Sequence, residues 1–169
     1  MIRLVAFLRQ QKGSATIEFA LVSLFFFGIV MVALDFGIYT QQNLKLDNAV
    51  EQAAVIAFDA RAGQPAVNTA QLSTYITSTI SGSPTVTIQC NGSTTCGTAS
   101  SKCIGAPATA GGWPTFTDPT ASGGTACTSG ATPGYYVVIR AAKTYRSVIV
   151  PDKYLNNGAM QQQAVVRLS

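Results

Sequence analysis

Residues 9–19 read Arg9-Gln10-Gln11-Lys12-Gly13-Ser14-Ala15-Thr16-Ile17-Glu18-Phe19, and from Phe19 to Leu34 the chain carries no charge. A basic leader, a Gly-Ser junction and an apolar helix with one acid near its tip decide how the rest is read. A charged side chain in a segment bound for a bilayer costs about 2.5–3.5 kcal/mol on insertion scales. Glu18 therefore needs a reason to be there. A secretory signal peptide would share the positive start and the apolar core, but it ends in a small-residue cleavage site. After Leu34 the chain continues Asp35-Phe36-Gly37-Ile38-Tyr39, with no such site. A plain membrane anchor explains the apolar run and its basic flank and leaves Gly13 and Glu18 unexplained.

The 169 residues suffice for one folded domain beside a membrane segment. The net charge of +4 belongs mostly to the leader: Arg3, Arg9 and Lys12 precede Gly13, and no acid does. The remainder is nearly neutral, so the basic balance is a topology signal and no nucleic-acid partner is expected. Basic residues ahead of an apolar helix hold that end in the cytoplasm, so the C-terminal bulk is expected to be exported. The chain has no histidine, and so lacks the commonest general base and metal ligand. No nucleophile-elbow or Ser-x-x-Lys pattern occurs. We expect no enzyme activity, no cofactor and no metal.

Beyond the apolar run, Leu46, Val50, Ala53, Ala57 and Ala60 recur at three- and four-residue steps. Asn43, Asp47, Asn48, Glu51, Gln52 and Asp59 fill the other side. This spacing predicts a helix with a narrow, Ala-rich stripe. No proline interrupts residues 14–64, so one continuous helix is expected from Ser14 to near Gly63, before Pro65. Its first part, 14–37, is just long enough to span a bilayer, which takes about 20 residues. A short helix over Thr69–Ile80, capped by Asn68 or Thr69, would align Leu72, Ile76 and Ile80. Pro84 to Cys90 alternates and is β-branched, which predicts a strand. Residues 135–150 carry the strongest β signal, up to Pro151, and Met160–Leu168 reads as a returning strand. The fold class is α+β: a long N-terminal helix, membrane-spanning in its first half and amphipathic in its second, packed on a small antiparallel sheet.

Between these strands, residues 91–134 are dominated by Gly, Ser, Thr, Ala and Pro and can form little core. Cys96, Cys103 and Cys127 lie there, with Cys90 at the entry. An even count in an exported domain reads as disulfides, and no pair has the C-x-x-C spacing of metal knuckles. Four cysteines allow three pairings. Cys90–Cys96 with Cys103–Cys127 is favoured, since each closes a local loop; nested and crossed pairings stay open.

A basic leader ending in Gly, with Glu five residues past the junction, resembles type IV pilin-like precursors, and here TadE-like minor pilins (pseudopilins) of the tight-adherence, or Flp, system. The resemblance covers residues 9–62 and, loosely, the last strands, where Val165-Val166-Arg167 is similar to the family's apolar ending with a late Arg. It implies that residues 1–13 are a prepilin leader, 14–37 the transmembrane helix and 38–169 a pilin-like head. It implies that a prepilin peptidase cuts between Gly13 and Ser14, leaving an α-amine, a group that ordinarily titrates at about pH 7.7–8.0. It implies that Glu18 neutralises such an amine, within the helix or on a neighbouring subunit, during assembly. Major Flp pilins carry Glu followed by Tyr and are shorter; Glu18-Phe19 in a larger chain implies a minor role. The implied partners are the peptidase, other pilins, the assembly platform and inner-membrane lipid, and the implied output is surface attachment. Two rivals share part of this pattern: an uncleaved single-pass protein with a periplasmic binding or adhesion domain, and a pseudopilin of a related secretion system.

Three further features have plainer readings. Asp35 is expected at the distal membrane interface, since acids deep in a bilayer are rare. Trp113 and Phe116 are read as pinning a loop to its own domain before they are read as an adhesive patch. Asn91-Gly92-Ser93 matches a weak glycosylation sequon.

Overall fold

The computed structural model describes residues 11–60, 67–97, 101–120, 126–129 and 132–169. Arg3 and Arg9 of the leader and the expected helix end at Gly63 lie outside the described residues. Helix α1 runs Gln11–Ala60 without a break, and α2 runs Thr69–Thr79. The strands are β1 Thr85–Cys90, β2 Cys103–Gly105, β3 Thr115–Thr117, β4 Tyr136–Thr144 and β5 Ala159–Arg167. The chain forms two compact units, Met1–Thr40 with Arg146–Gly158 and Gln41–Tyr145 with Ala159–Ser169.

In the larger unit β1, β4 and β5 form an antiparallel sheet with β4 in the centre. Side chains alternate between the faces of a strand, and hydrogen bonds identify each face. Lys143 donates to Gln42 Oε1 at 2.9 Å, and Gln162, opposite Ala141, donates to Asn43 Oδ1 at 3.1 Å. The face bearing Val137, Ile139, Ala141 and Lys143 is therefore the one turned to α1. It meets the predicted stripe: Leu46, Val50, Ala53 and Ala57 are all buried. Helix α2 starts at Asn68, whose side chain accepts from the Gln71 N–H at 3.0 Å, the usual work of an N-cap. Leu72, Ile76 and Ile80 are all buried, and the Tyr75 hydroxyl bonds to Gln52 on α1.

The other face of the sheet carries Tyr136, Val138 and Arg140, and the stretch read as poor in core covers it. The Trp113 ring lies 4.1 Å from the Arg140 guanidinium, and the Phe116 and Tyr136 rings are 6.3 Å apart. Arg140 and Gln161 both donate to the Gly111 carbonyl, at 2.9 and 3.1 Å. Burial lowers the Arg140 pKa from its ordinary value. The aromatic pair thus fastens the loop to its own sheet. The structure bridges Cys90 to Cys96 and Cys103 to Cys127, with Cα atoms 5.2 and 5.6 Å apart. The β2–β3 hairpin, which composition alone did not announce, hangs from the second bridge.

Asn91 and Gly92 form the tip of a tight turn at φ 50° and 84°. Left-handed backbone is what Asn and Gly tolerate best. The Asn91 side chain is buried, and its Oδ1 accepts from the Tyr136 N–H at 2.8 Å. The asparagine of the sequon is therefore occupied in folding, although Gly92 and Ser93 beside it are exposed.

The smaller unit corrects the sequence reading of 135–150 as one strand. β4 stops at Thr144, and the chain from Arg146 to Gly158 is a loop with two 3-10 turns, Asp152–Tyr154 and Asn156–Gly158. The physical reason is where its backbone N–H groups go, which is the chemistry of the candidate site.

Candidate functional site

The first part of α1 is apolar on every side. Phe19, Leu24 and Phe25 are more than 70% exposed, and the most apolar window of the helix, at mean hydropathy 2.5, buries nothing against the rest of the chain. So large an exposed apolar surface marks a partner or a membrane. Among the described residues this is the one helix long and apolar enough to cross a bilayer. Its polar side chains are managed locally: Ser23 and Thr40 donate to the carbonyls four residues back, Phe19 and Phe36, at 2.7 and 2.9 Å. A side chain placed at Gly28 or Gly37 would meet nothing within 4 Å. Among the described residues no contact asks for glycine at either position.

Gly13 and Ser14 both lie within the helix, which the structure carries back to Gln11. Glu18 and Phe19 follow on its exposed surface. Glu18 stands one turn beyond Ser14, about 6 Å along the axis. Among the described residues the one ion pair joins Lys102 to Asp118, so Glu18 has no cationic partner there. No group of three His, Cys, Asp or Glu side chains suited to a metal occurs among them either.

The second acid is bonded, which the sequence reading missed. Asp35 is only 2% exposed. Its Oδ2 accepts from the backbone N–H groups of Val148, Ile149 and Val150 at 3.0, 2.8 and 3.0 Å, and its Oδ1 from Val148 at 3.2 Å. Hydrogen bonds from several N–H groups are how a buried carboxylate is made tolerable. They also explain the broken strand. Val148, Ile149 and Val150 are β-branched and suit a ladder, but their donors converge on one carboxylate. Asn156, Asn157 and Gly158 then turn the chain at φ 53°, 53° and 70°, delivering it into β5. The loop hides Val150 and Leu155 and leaves Val148 and Tyr154 outward. The only sequence hint was an unexplained acid at the end of the apolar run.

The TadE-like protein family model matches residues 13–55 of this chain. The match starts at the glycine of the junction, crosses the exposed apolar segment and Asp35, and ends in the buried Ala-rich stripe. No curated protein and no solved structure matches the chain.

Proposed function

We propose that this chain is a minor pilin, or pseudopilin, that takes part in assembling a tight-adherence (Flp) type IV pilus and so supports surface attachment. The observation that carries the reading is the TadE-like match, which begins at Gly13, where a basic leader meets an apolar helix with Glu18 near its tip. In this reading a prepilin peptidase cuts between Gly13 and Ser14. Glycine offers no side chain to block the protease and lets the helix unwind at that point. The helix then holds the protein in the inner membrane as a single span with its disulfide-stapled head in the periplasm. Glu18 meets the new amine of Ser14 on a neighbouring pilin. Pairing offsets the cost of holding both charges in an apolar bundle, and Phe19 contributes apolar surface to that contact. The apolar helix and the two bridges support this reading, because both suit a protein exported through a membrane.

The test is the mass of the intact protein after co-expression with a prepilin peptidase. The expected product begins at Ser14, and Gly13→Leu leaves the full precursor. A product that begins elsewhere, or keeps Met1 while the peptidase processes a control pilin, refutes the proposal.

A further inference from the structure

We infer that the loop Arg146–Leu155 is a second membrane contact, seated in the headgroup region of the leaflet farther from Ser14. The inference rests on the reading of 14–37 as the membrane span.

Depth comes first. From Ser14 to Asp35 the helix rises about 31 Å at 1.5 Å per residue, which matches the hydrocarbon thickness of about 30 Å. Asp35 thus marks the far boundary of the span. The loop is held at that level by the bonds from Val148, Ile149 and Val150 to its carboxylate.

The chemistry of the loop suits that depth. Val148 is 78% exposed, Ile149 47% and Tyr154 64%. Three consecutive apolar residues are costly to bring near lipid only while their backbone donors are unmet, and here one carboxylate meets all three. Lys153 lies 4.8 Å from the centre of the Tyr154 ring. A tyrosine beside a lysine is the pairing that membrane interfaces favour, the ring at headgroup level and the ammonium reaching to water. Arg146 and Lys153 are exposed, and Asp152, which accepts from Ser147 Oγ at 2.6 Å, is the one acid among residues 146–158. The balance is positive, which fits anionic headgroups. Leu34, Phe36 and Ile38, which flank Asp35 on the helix of the same unit, are exposed as well. A lipid surface is therefore the occupant this patch fits.

The experiment uses the full-length protein in nanodiscs of mixed zwitterionic and anionic phospholipid. Trp113→Phe removes the single native tryptophan, and Val148→Trp or Tyr154→Trp then reports on the loop. Interfacial insertion reaches roughly 5–10 Å into the headgroup and acyl boundary. Both probes should be quenched about twofold by lipid brominated high on the acyl chain and far less by aqueous iodide. A Phe26→Trp probe, in the middle of the apolar run, controls for the span. If it is quenched by lipid brominated near the chain end while both loop probes respond to iodide and not to lipid, the loop contact is overturned and the anchor stands. Loop probes shielded from lipid and iodide alike would place the patch against another copy of the chain, and overturn it too. If the Phe26→Trp probe is also blind to lipid, the membrane span itself fails, and the loop contact with it.

Discussion

Replacing Asp35 with alanine removes the acceptor for three backbone donors, and the consequence can be sized. A net hydrogen bond to a charged group is worth about 1.5–3 kcal/mol, and a buried donor left unmet costs about 1–3 kcal/mol. The donors are not equivalent. The bonds from Val148 and Ile149 are part-buried, so solvent replaces the carboxylate there in part, while Val150 is 6% exposed and its N–H is left without a partner. The loss should therefore be near one charged bond plus a part of the others, about 2–4 kcal/mol. At 1.4 kcal/mol per tenfold, this raises the opening equilibrium of the loop roughly 30- to 700-fold. Hydrogen–deuterium exchange of the full-length protein in detergent micelles reads it directly, because amide exchange follows local opening. The amides of 148–150 should lose that much protection in Asp35→Ala. Asp35→Asn keeps one oxygen and should lose about half as much in free energy. The amides of β4 serve as the control for folding. Unchanged exchange at 148–150 in the alanine variant, with β4 still protected, would mean the carboxylate does not hold the loop.

The two bridges should differ in weight. Closing a loop of sequence separation 24 stabilises by about 3.5 kcal/mol in the chain-entropy picture and one of separation 6 by about 2 kcal/mol. Thermal melting should fall further for Cys103→Ser with Cys127→Ser than for Cys90→Ser with Cys96→Ser, and the reverse order would count against the loop-closure account. Arg140→Ala removes the cation from Trp113 and the bond to the Gly111 carbonyl; the tryptophan emission should shift to the red as the loop loosens, and an unmoved spectrum would show that the loop is held elsewhere. Glu18→Ala should leave cleavage and membrane insertion intact, because it removes a charge that insertion disfavours, while co-purification with partner pilins and piliation fall. Normal pili in that variant would reduce the helix to an anchor.

The periodic parts of this fold are legible in the sequence, and for a physical reason. The stripe Leu46, Val50, Ala53 and Ala57 and the face Leu72, Ile76 and Ile80 repeat with the helix, so local spacing reports burial directly. Alternation does the same for β1, while β4, covered on both faces, reads instead as a continuous apolar, β-branched run. The Gly-rich middle is legible in its two bridges, but the guanidinium stacked on Trp113 and the Asn91 bond to Tyr136 join residues far apart in sequence, and no local pattern announces them. Asp35 shows the limit most sharply. Nothing near residue 35 says what the acid binds, and nothing near residues 148–150 says what claims their N–H groups. The β-branched run there satisfies every local criterion for extending β4, and the ladder loses to a carboxylate that precedes Val148 by 113 residues. A charge that must be buried needs donors in one small volume, and a loop can converge three N–H groups on one oxygen where a flat strand points alternate groups to opposite edges. Strand propensity is worth at most about 1 kcal/mol per residue, less than the charged hydrogen bonds it competes with here. An acid at the end of an apolar helix thus keeps Val148, Ile149 and Val150 out of the ladder that their side chains favour.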